Sequence, residues 1–325
     1  MTQEKRLISL APMMDVSDRH FRYFTRLLSA RIFNYTEMIS CDALLNGPRE
    51  RLLEFDTSEH PIAVQLGGSD PNKLSECSKM CEQVGYDEIN LNVGCPSDRV
   101  QDGNIGVCLM LDPKKVAECV KAMIKAVNTP VTVKTRIGVD DNDDYEFLKT
   151  FIQYQVDVGC NMFIIHARKA WLKGLSPKQN RTIPELNYER VYQLVQDFPN
   201  CVFELNGGIR SYDDIQSAID NVGSAMVGRA LWDDPWKFHA IDEKFHGEKN
   251  PSHSRSELLE KYIPYMQKNI EREISINPLI QPLMGLFHQV KGSKKWRQFI
   301  SENRKLDDQL LDKMFELCQQ LENEC

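Results

Sequence analysis

The chain has 325 residues, 42% of them hydrophobic, and a formal net charge of −7, which is enough to bury a large core and too long for a peptide-sized binding module. Its first ten residues carry charges but no apolar stretch ahead of a cleavage site, and no later run approaches the ~18 apolar residues that span a membrane, so a cytoplasmic protein is expected. The ten cysteines include no pair at the two-residue gap of zinc and iron–sulfur sites, so no metal is expected and most should be reduced thiols in the core.

Short runs rich in β-branched and apolar residues recur down the chain. They are LISLAPM from Leu7, IFNYTEM from Ile32, IAVQLGG from Ile62, EINLNVG from Glu88, VTVKTRI from Val131, MFIIHAR from Met162, VFELNGG from Val202 and SAMVGRA from Ser224. Each leaves room for a helix before the next, and segments 74–85, 113–128 and 187–198 have helical apolar spacing. Eight βα units in residues 1–245 predict an α/β chain folded as a (β/α)8 TIM barrel. A doubly wound open sheet is the alternative, but its three spaced glycines after the first strand are missing. After a polar, linker-like stretch at 246–257 the pattern turns wholly helical. Leu258, Leu259, Tyr262, Ile263, Met266 and Ile270 form one apolar face, and Leu279, Leu283, Leu286, Phe287 and Val290 another, so residues 246–325 should be a small helical bundle.

The strand ends are polar or glycine-rich: Gln65, Asn90 and Asn92, Lys134 and Arg136, His166 and Arg168, Asn206-Gly207-Gly208, and Gly228-Arg229. A barrel gathers all of them on its C-terminal rim, where barrel enzymes place their active sites. Glycines after the seventh and eighth strands let backbone N–H groups reach a phosphate, and Arg229 adds positive charge. A phosphate there leaves the centre of the mouth for an aromatic ring whose polar edge suits Gln65, Lys134 and His166. FMN fits, with Lys134 favouring the negative charge of its reduced form; a salt bridge inside the barrel is the other reading of Lys134.

Charge distribution qualifies the negative total. Acids cluster at residues 140–144, whereas His166–Arg181 holds Arg168, Lys169, Lys173, Lys178 and Arg181 without an acid. Lys291, Lys294, Lys295, Arg297, Arg304 and Lys305 form a second basic stretch. Either is a polyanion contact or a solvated face.

The strings LAPMMDVSDRHFR, QLGGSDP, GYDEINLNVGCPSDRVQDGNIG, PVTVKTRIGVDD, FIIHARKAWLKGLSPKQNR and ELNGGIRS resemble the dihydrouridine synthases, specifically the bacterial subgroup acting on D-loop positions 20 and 20a. The likeness runs from about Leu7 to about Asn303. It implies a flavoprotein that reduces uridine in tRNA with NADPH; the hydropathy predicts no membrane contact, and no obligate protein partner is evident. It places cofactor contacts on Pro12, Met13, Met14, Gln65, Lys134, His166, Asn206, Gly207, Gly208, Gly228 and Arg229. The family's reactive cysteine falls on Cys95 and its base-contacting asparagine on Asn92; tRNA contacts fall on Lys178, Arg181, Lys294 and Arg297, making 246–325 a tRNA-binding domain. Reduced flavin then delivers hydride to uracil carbon 6, and Cys95 delivers a proton to carbon 5 from the opposite face. The chain departs from the pattern at Val107-Cys108 and at Met14 and Val16, none of them a proposed reactive group. A flavin barrel acting on a free pyrimidine, such as a dihydroorotate dehydrogenase-like protein, and a non-catalytic RNA-binding protein are the rival readings.

Overall fold

A computed structural model of the chain describes residues 6–97, 103, 105–303 and 308–324. Eight strands stand where the sequence puts them: β1 (Ile8–Leu10), β2 (Asn34–Ser40), β3 (Ile62–Gly67), β4 (Glu88–Val93), β5 (Val131–Arg136), β6 (Met162–His166), β7 (Val202–Asn206) and β8 (Ala225–Val227). All pair in parallel, in the order β1-β8-β7-β6-β5-β4-β3-β2. The ring closes where Leu10 N donates to Phe33 O (2.9 Å) and Phe33 N donates to Ile8 O (3.0 Å), which removes the open-sheet alternative.

Parallel neighbours need crossovers, and the sequence starts each crossover helix with a cap. Asp18 accepts from His20 N and Phe21 N ahead of the helix Arg19–Leu28. Asp70, Asp112 and Asp144 do the same for Pro71–Val84, Pro113–Ala126 and Tyr145–Val156. A proline occupies the first turn of two of these helices, where its missing N–H costs nothing. Asp144 therefore belongs to a cap, and Asp143 pairs with Lys169 (2.8 Å). Part of the acidic run thus organises the rim while still reaching solvent.

The strands alternate sides at period two, and the register aligns the inward residues of neighbours: Gln65 with Asn90, Asn90 with Thr132, Asn92 with Lys134, Arg136 with His166, and His166 with Asn206. Outward residues such as Ile89, Leu91, Val93, Val133, Phe163 and Ile165 are fully buried against the helices. At the N-terminal end of the barrel the interior is ionic. Arg6 meets Glu88 (2.8 Å) and Glu204 (3.6 Å) and lies over the rings of Phe33 and Tyr35. Ser9 Oγ donates to Glu204 (2.6 Å) and Tyr35 Oη to Glu88 (2.5 Å). The barrel does contain a salt bridge, but Arg6 makes it, and among the described residues Lys134 joins no ion pair. Arg6→Met leaves two buried carboxylates facing each other and should cost about 3–5 kcal/mol in a denaturant titration; a loss below about 1 kcal/mol would mean the pair is solvated.

The C-terminal helices Arg255–Glu271, Ile276–Ile280, Ser293–Glu302 and Asp308–Glu322 pack on the barrel. The stretch read as a linker is bound down over its length. Ser252 is fully buried with its hydroxyl donating to Leu27 O (2.9 Å), Glu243 N donates to Asn250 (3.1 Å), and Ser254 caps a helix that starts at Arg255. Tyr265 stacks on both Tyr262 and Tyr23, and the Arg255 guanidinium lies over Trp236 and Phe287. Gly285 lets the segment after Ile280 approach closely: a Cβ there would stand 2.6 Å from Asp233 O. No helix among the described residues is long and apolar enough to cross a membrane. The nine described cysteines are free thiols, and Cys41, Cys77, Cys81, Cys119, Cys160 and Cys318 are buried, as the core reading expects. Cys325, Arg304 and Lys305 lie outside the described residues.

Candidate active site

Cys95 sits two residues beyond β4, partly exposed, on a turn shaped by its own motif. Asn92, the last inward residue of β4, accepts from Gly94 N (3.1 Å) and Cys95 N (3.0 Å) through Oδ1. An asparagine binding the amides two and three residues on is an Asx turn, the local chemistry that favours this residue here. The far side of the turn is held by Arg136, whose Nε donates to Gly94 O (2.8 Å), while Nη1 reaches Lys169 O (3.1 Å) and Asn180 O (3.0 Å). Val107 N closes on Cys95 O (3.0 Å), and the thiol lies 3.4 Å from Ser97 Oγ. Residues 98–102 and 104 of the same motif lie outside the described residues.

Across the mouth, Lys134 Nζ donates to Asn206 Oδ1 (3.1 Å), and Asn206 Nδ2 donates to Met226 O (2.9 Å). Burial lowers Lys134 to about 7, with the Arg136 charge adding to the effect. Burial, Arg136, Lys134, Arg168 and Arg229 together hold His166 well below its ordinary value, so its imidazole is neutral. Burial also takes Arg136 down to about 10. These groups depress one another because, among the described residues, no ion pair neutralises them. The rim between β5 and β8 is a site for negative charge.

The glycines after β7 and β8 have the space and conformation for a close ligand. Gly207 (φ +102°) leaves no room for a side chain, since a Cβ would lie 2.6 Å from His166 Cδ2, and Tyr188 Oη donates to Gly207 O (2.8 Å). Met13 and Gly228 are neighbours where β1 meets β8, a Cβ on Gly228 standing 3.5 Å from Met13 Sδ. Met13 is fixed by Ser17, whose Oγ accepts from Met13 N (2.8 Å). Pro12 is partly exposed beside it, whereas Met14 is 52% exposed and faces away from the core. Arg229 is exposed and reaches across to Arg181 O (3.1 Å), joining the β8 end to the loop after β6. Arg181 and Lys178 are exposed on that loop. Lys294 and Arg297 are exposed on the helix Ser293–Glu302.

Two basic clusters are thinner than their composition suggests. Lys169 is paired with Asp143 and lies over Trp171, Arg168 is bonded to Pro184 O, and Lys291 is paired with Glu324 (3.5 Å). Strand-end reading noted Arg136 but missed its grip on the Cys95 turn. The signal was its place two residues after Lys134, hence on the same face of β5. It also missed a cleft beside the mouth, lined by Asp15, Asp18 and Glu37 of the barrel and by Asn277 and Gln281 of the C-terminal helices. The two sides of the cleft lie more than 200 residues apart in sequence, so only the fold brings Asp15, Asp18 and Glu37 opposite Asn277 and Gln281.

The chain matches the family model described as dihydrouridine synthase over residues 9–323. It is 50% identical over 296 residues to the tRNA-dihydrouridine(20/20a) synthase of Synechocystis, covering 91% of this chain and 89% of the relative. It is 48% identical to the proteins of the same name from Shewanella oneidensis (92% and 89% covered) and Escherichia coli (91% and 89% covered).

Proposed function

The chain belongs to the dihydrouridine synthase family, and from that premise we propose that it is an FMN-dependent tRNA-dihydrouridine synthase, using NADPH to reduce uridine to 5,6-dihydrouridine at D-loop positions 20 and 20a. The observation that carries the reading is the pairing of Cys95, on its Asx turn, with a rim of uncompensated cations and glycines at the ends of β5 to β8. The donor set suits FMN. Gly207, Gly208 and Gly228 leave backbone exposed for a phosphate beside Arg229, while Gln65, Lys134, His166 and Asn206 offer polar atoms to a ring edge. Met13 supplies apolar surface next to Gly228, and Pro12 and the exposed Met14 are its chain neighbours on the same loop. Bound and reduced by NADPH, FMN supplies a hydride for carbon 6 of the uracil.

Cys95 supplies the proton for carbon 5 as a thiol, and its turn must hold it on the face of the base opposite the hydride. Asn92, at the head of that turn, contacts the target base. A uridine inside folded tRNA reaches such a site only when turned out of its stack, so contacts outside the barrel must grip the RNA. Lys178 and Arg181 serve at the mouth, and Lys294 and Arg297 serve from a tRNA-binding helical domain at 246–325 attached to the catalytic barrel at 1–245.

Mapping dihydrouridine in tRNA from cells with and without the gene tests the whole reading: loss at positions 20 and 20a is expected, and an unchanged map rejects it. Turnover on free uracil or dihydroorotate would instead favour a free-pyrimidine enzyme. Replacing Lys294 and Arg297 together with alanine should weaken tRNA binding and reduce the slope of log K against log salt by about 1–2 units. Equal binding across a salt series would return that face to ordinary solvated surface.

A further inference from the structure

Below the Cys95 turn the barrel interior holds an unbroken series of hydrogen bonds. Arg6 donates to Glu88 (2.8 Å), and Thr132 Oγ1 donates to Glu88 Oε1 (2.6 Å). Asn90 Nδ2 donates to Thr132 Oγ1 (2.8 Å), Gln65 Nε2 to Asn90 Oδ1 (2.7 Å), and Asn92 Nδ2 to Gln65 Oε1 (2.7 Å). Asn92 Oδ1 then takes the N–H groups of Gly94 and Cys95. All five side chains from Glu88 to Asn92 are buried.

The series has one direction. A carboxylate paired with arginine only accepts, so Thr132 spends its single proton on Glu88 and can only accept from Asn90. That puts Asn90 Oδ1 toward Gln65, Gln65 Oε1 toward Asn92, and Asn92 Oδ1 toward the turn. At the far end, backbone N–H groups only donate and ask for the same orientation. Both ends agree, so no amide is frustrated. Among the described residues, Asn90 and Thr132 make no hydrogen bond to the Cys95 turn itself; their connection to it runs through Gln65.

We propose that Asn90, supported by Thr132 and Glu88, is a positioning residue for the Cys95 turn, acting through Gln65 and Asn92. It gives the Gln65 amide an acceptor, which pins Gln65 Oε1 under Asn92 and keeps the turn in a single arrangement. The role matters for catalysis only if Cys95 is the proton donor of the proposed function, but the arrangement itself can be measured without turnover.

The experiment is the alkylation rate of Cys95 by iodoacetamide in flavin-free protein, read by mass spectrometry of its peptide, for Asn90→Leu and Asn90→Asp. Both nearly keep the size of the side chain; only the aspartate, as the buried protonated acid, still accepts from Gln65 while donating to Thr132 in place of the Asn90 amide. Asn90→Leu should alkylate about three- to tenfold faster than wild type, the worth of one buried hydrogen bond, and Asn90→Asp should stay near wild type. Equal rates for all three, or equal acceleration in both variants, would overturn the positioning role. Should the Asn90 variants not fold, Thr132→Val carries the test, with acceleration expected and Thr132→Ser restoring the wild-type rate; no change in Thr132→Val refutes it. A wild-type protein that neither binds FMN nor modifies tRNA would sink the proposed function while leaving this contrast intact.

Discussion

Cys95→Ala is expected to slow oxidation of the NADPH-reduced enzyme by tRNA by about 10²- to 10⁴-fold, the usual contribution of a placed general acid. The size follows from what the turn provides. Gly94 and Cys95 are pinned by Asn92 on one side and by Arg136 on the other, and Cys95 O is held by Val107 N. A water entering the space left by the thiol finds no such placement. Stopped-flow single turnover isolates the step, because reduction by NADPH precedes it and product release follows. On the proposed role the thiol carries its proton at the moment of transfer, and alanine has none to give. A variant that is oxidised as fast as wild type removes Cys95 from the chemistry.

The sequence made the barrel legible because each of its signals is local. A run of apolar and β-branched residues marks a strand, and apolar spacing marks the helices in 74–85 and 113–128, whose Asp70 and Asp112 caps the structure then adds. Strand ends share one rim by topology alone, so Gln65, Asn92, Lys134, His166 and Asn206 could be grouped before any contact was known. The parts that stayed hidden depend on long-range pairing. Arg6 lies ahead of β1 and reads as a solvated charge, yet it sits inside the barrel because Glu88 and Glu204, 82 and 198 positions away, share its layer. Asn90 reads as one more strand-end polar residue on the rim, and its partnership with Thr132 emerges only when the register sets them side by side. The stretch 246–257 reads as a linker on composition, but Ser252 and Asn250 are polar because they bond to the barrel and to its last helical turn.

Lys134→Met should make the ligand-free protein more stable while slowing its reduction by NADPH by about 10²-fold or more. The stability half follows from linkage. Burial, with Arg136 beside it, takes Lys134 in the folded chain to about 7, from an ordinary value near 10.5. Between those values the unfolded chain binds a proton that the folded chain does not, so stability rises with pH through the window, and below pH 7 the penalty is fully present. Methionine removes it. The gain should be about 2–4 kcal/mol at pH 7, less than the full shift implies because solvent reaches Lys134 through the mouth, and it should fade toward pH 10.

The functional half follows from the same burial. A lysine kept neutral by its surroundings takes up a proton when an anion arrives, and that proton is what the bound group gains from it. FMN binding at pH 8 should therefore take up close to one proton in wild type and almost none in Lys134→Met, as calorimetry in buffers of different ionisation enthalpy will read. Other groups facing the site do not confuse the count at that pH. Arg136, at about 10, is already charged, and His166, starting far below its ordinary value, stays mostly neutral even if an anion restores it to about 6.5. Equal proton uptake in the two proteins would assign the protonation elsewhere and leave Lys134 as a hydrogen-bond partner of Asn206 only.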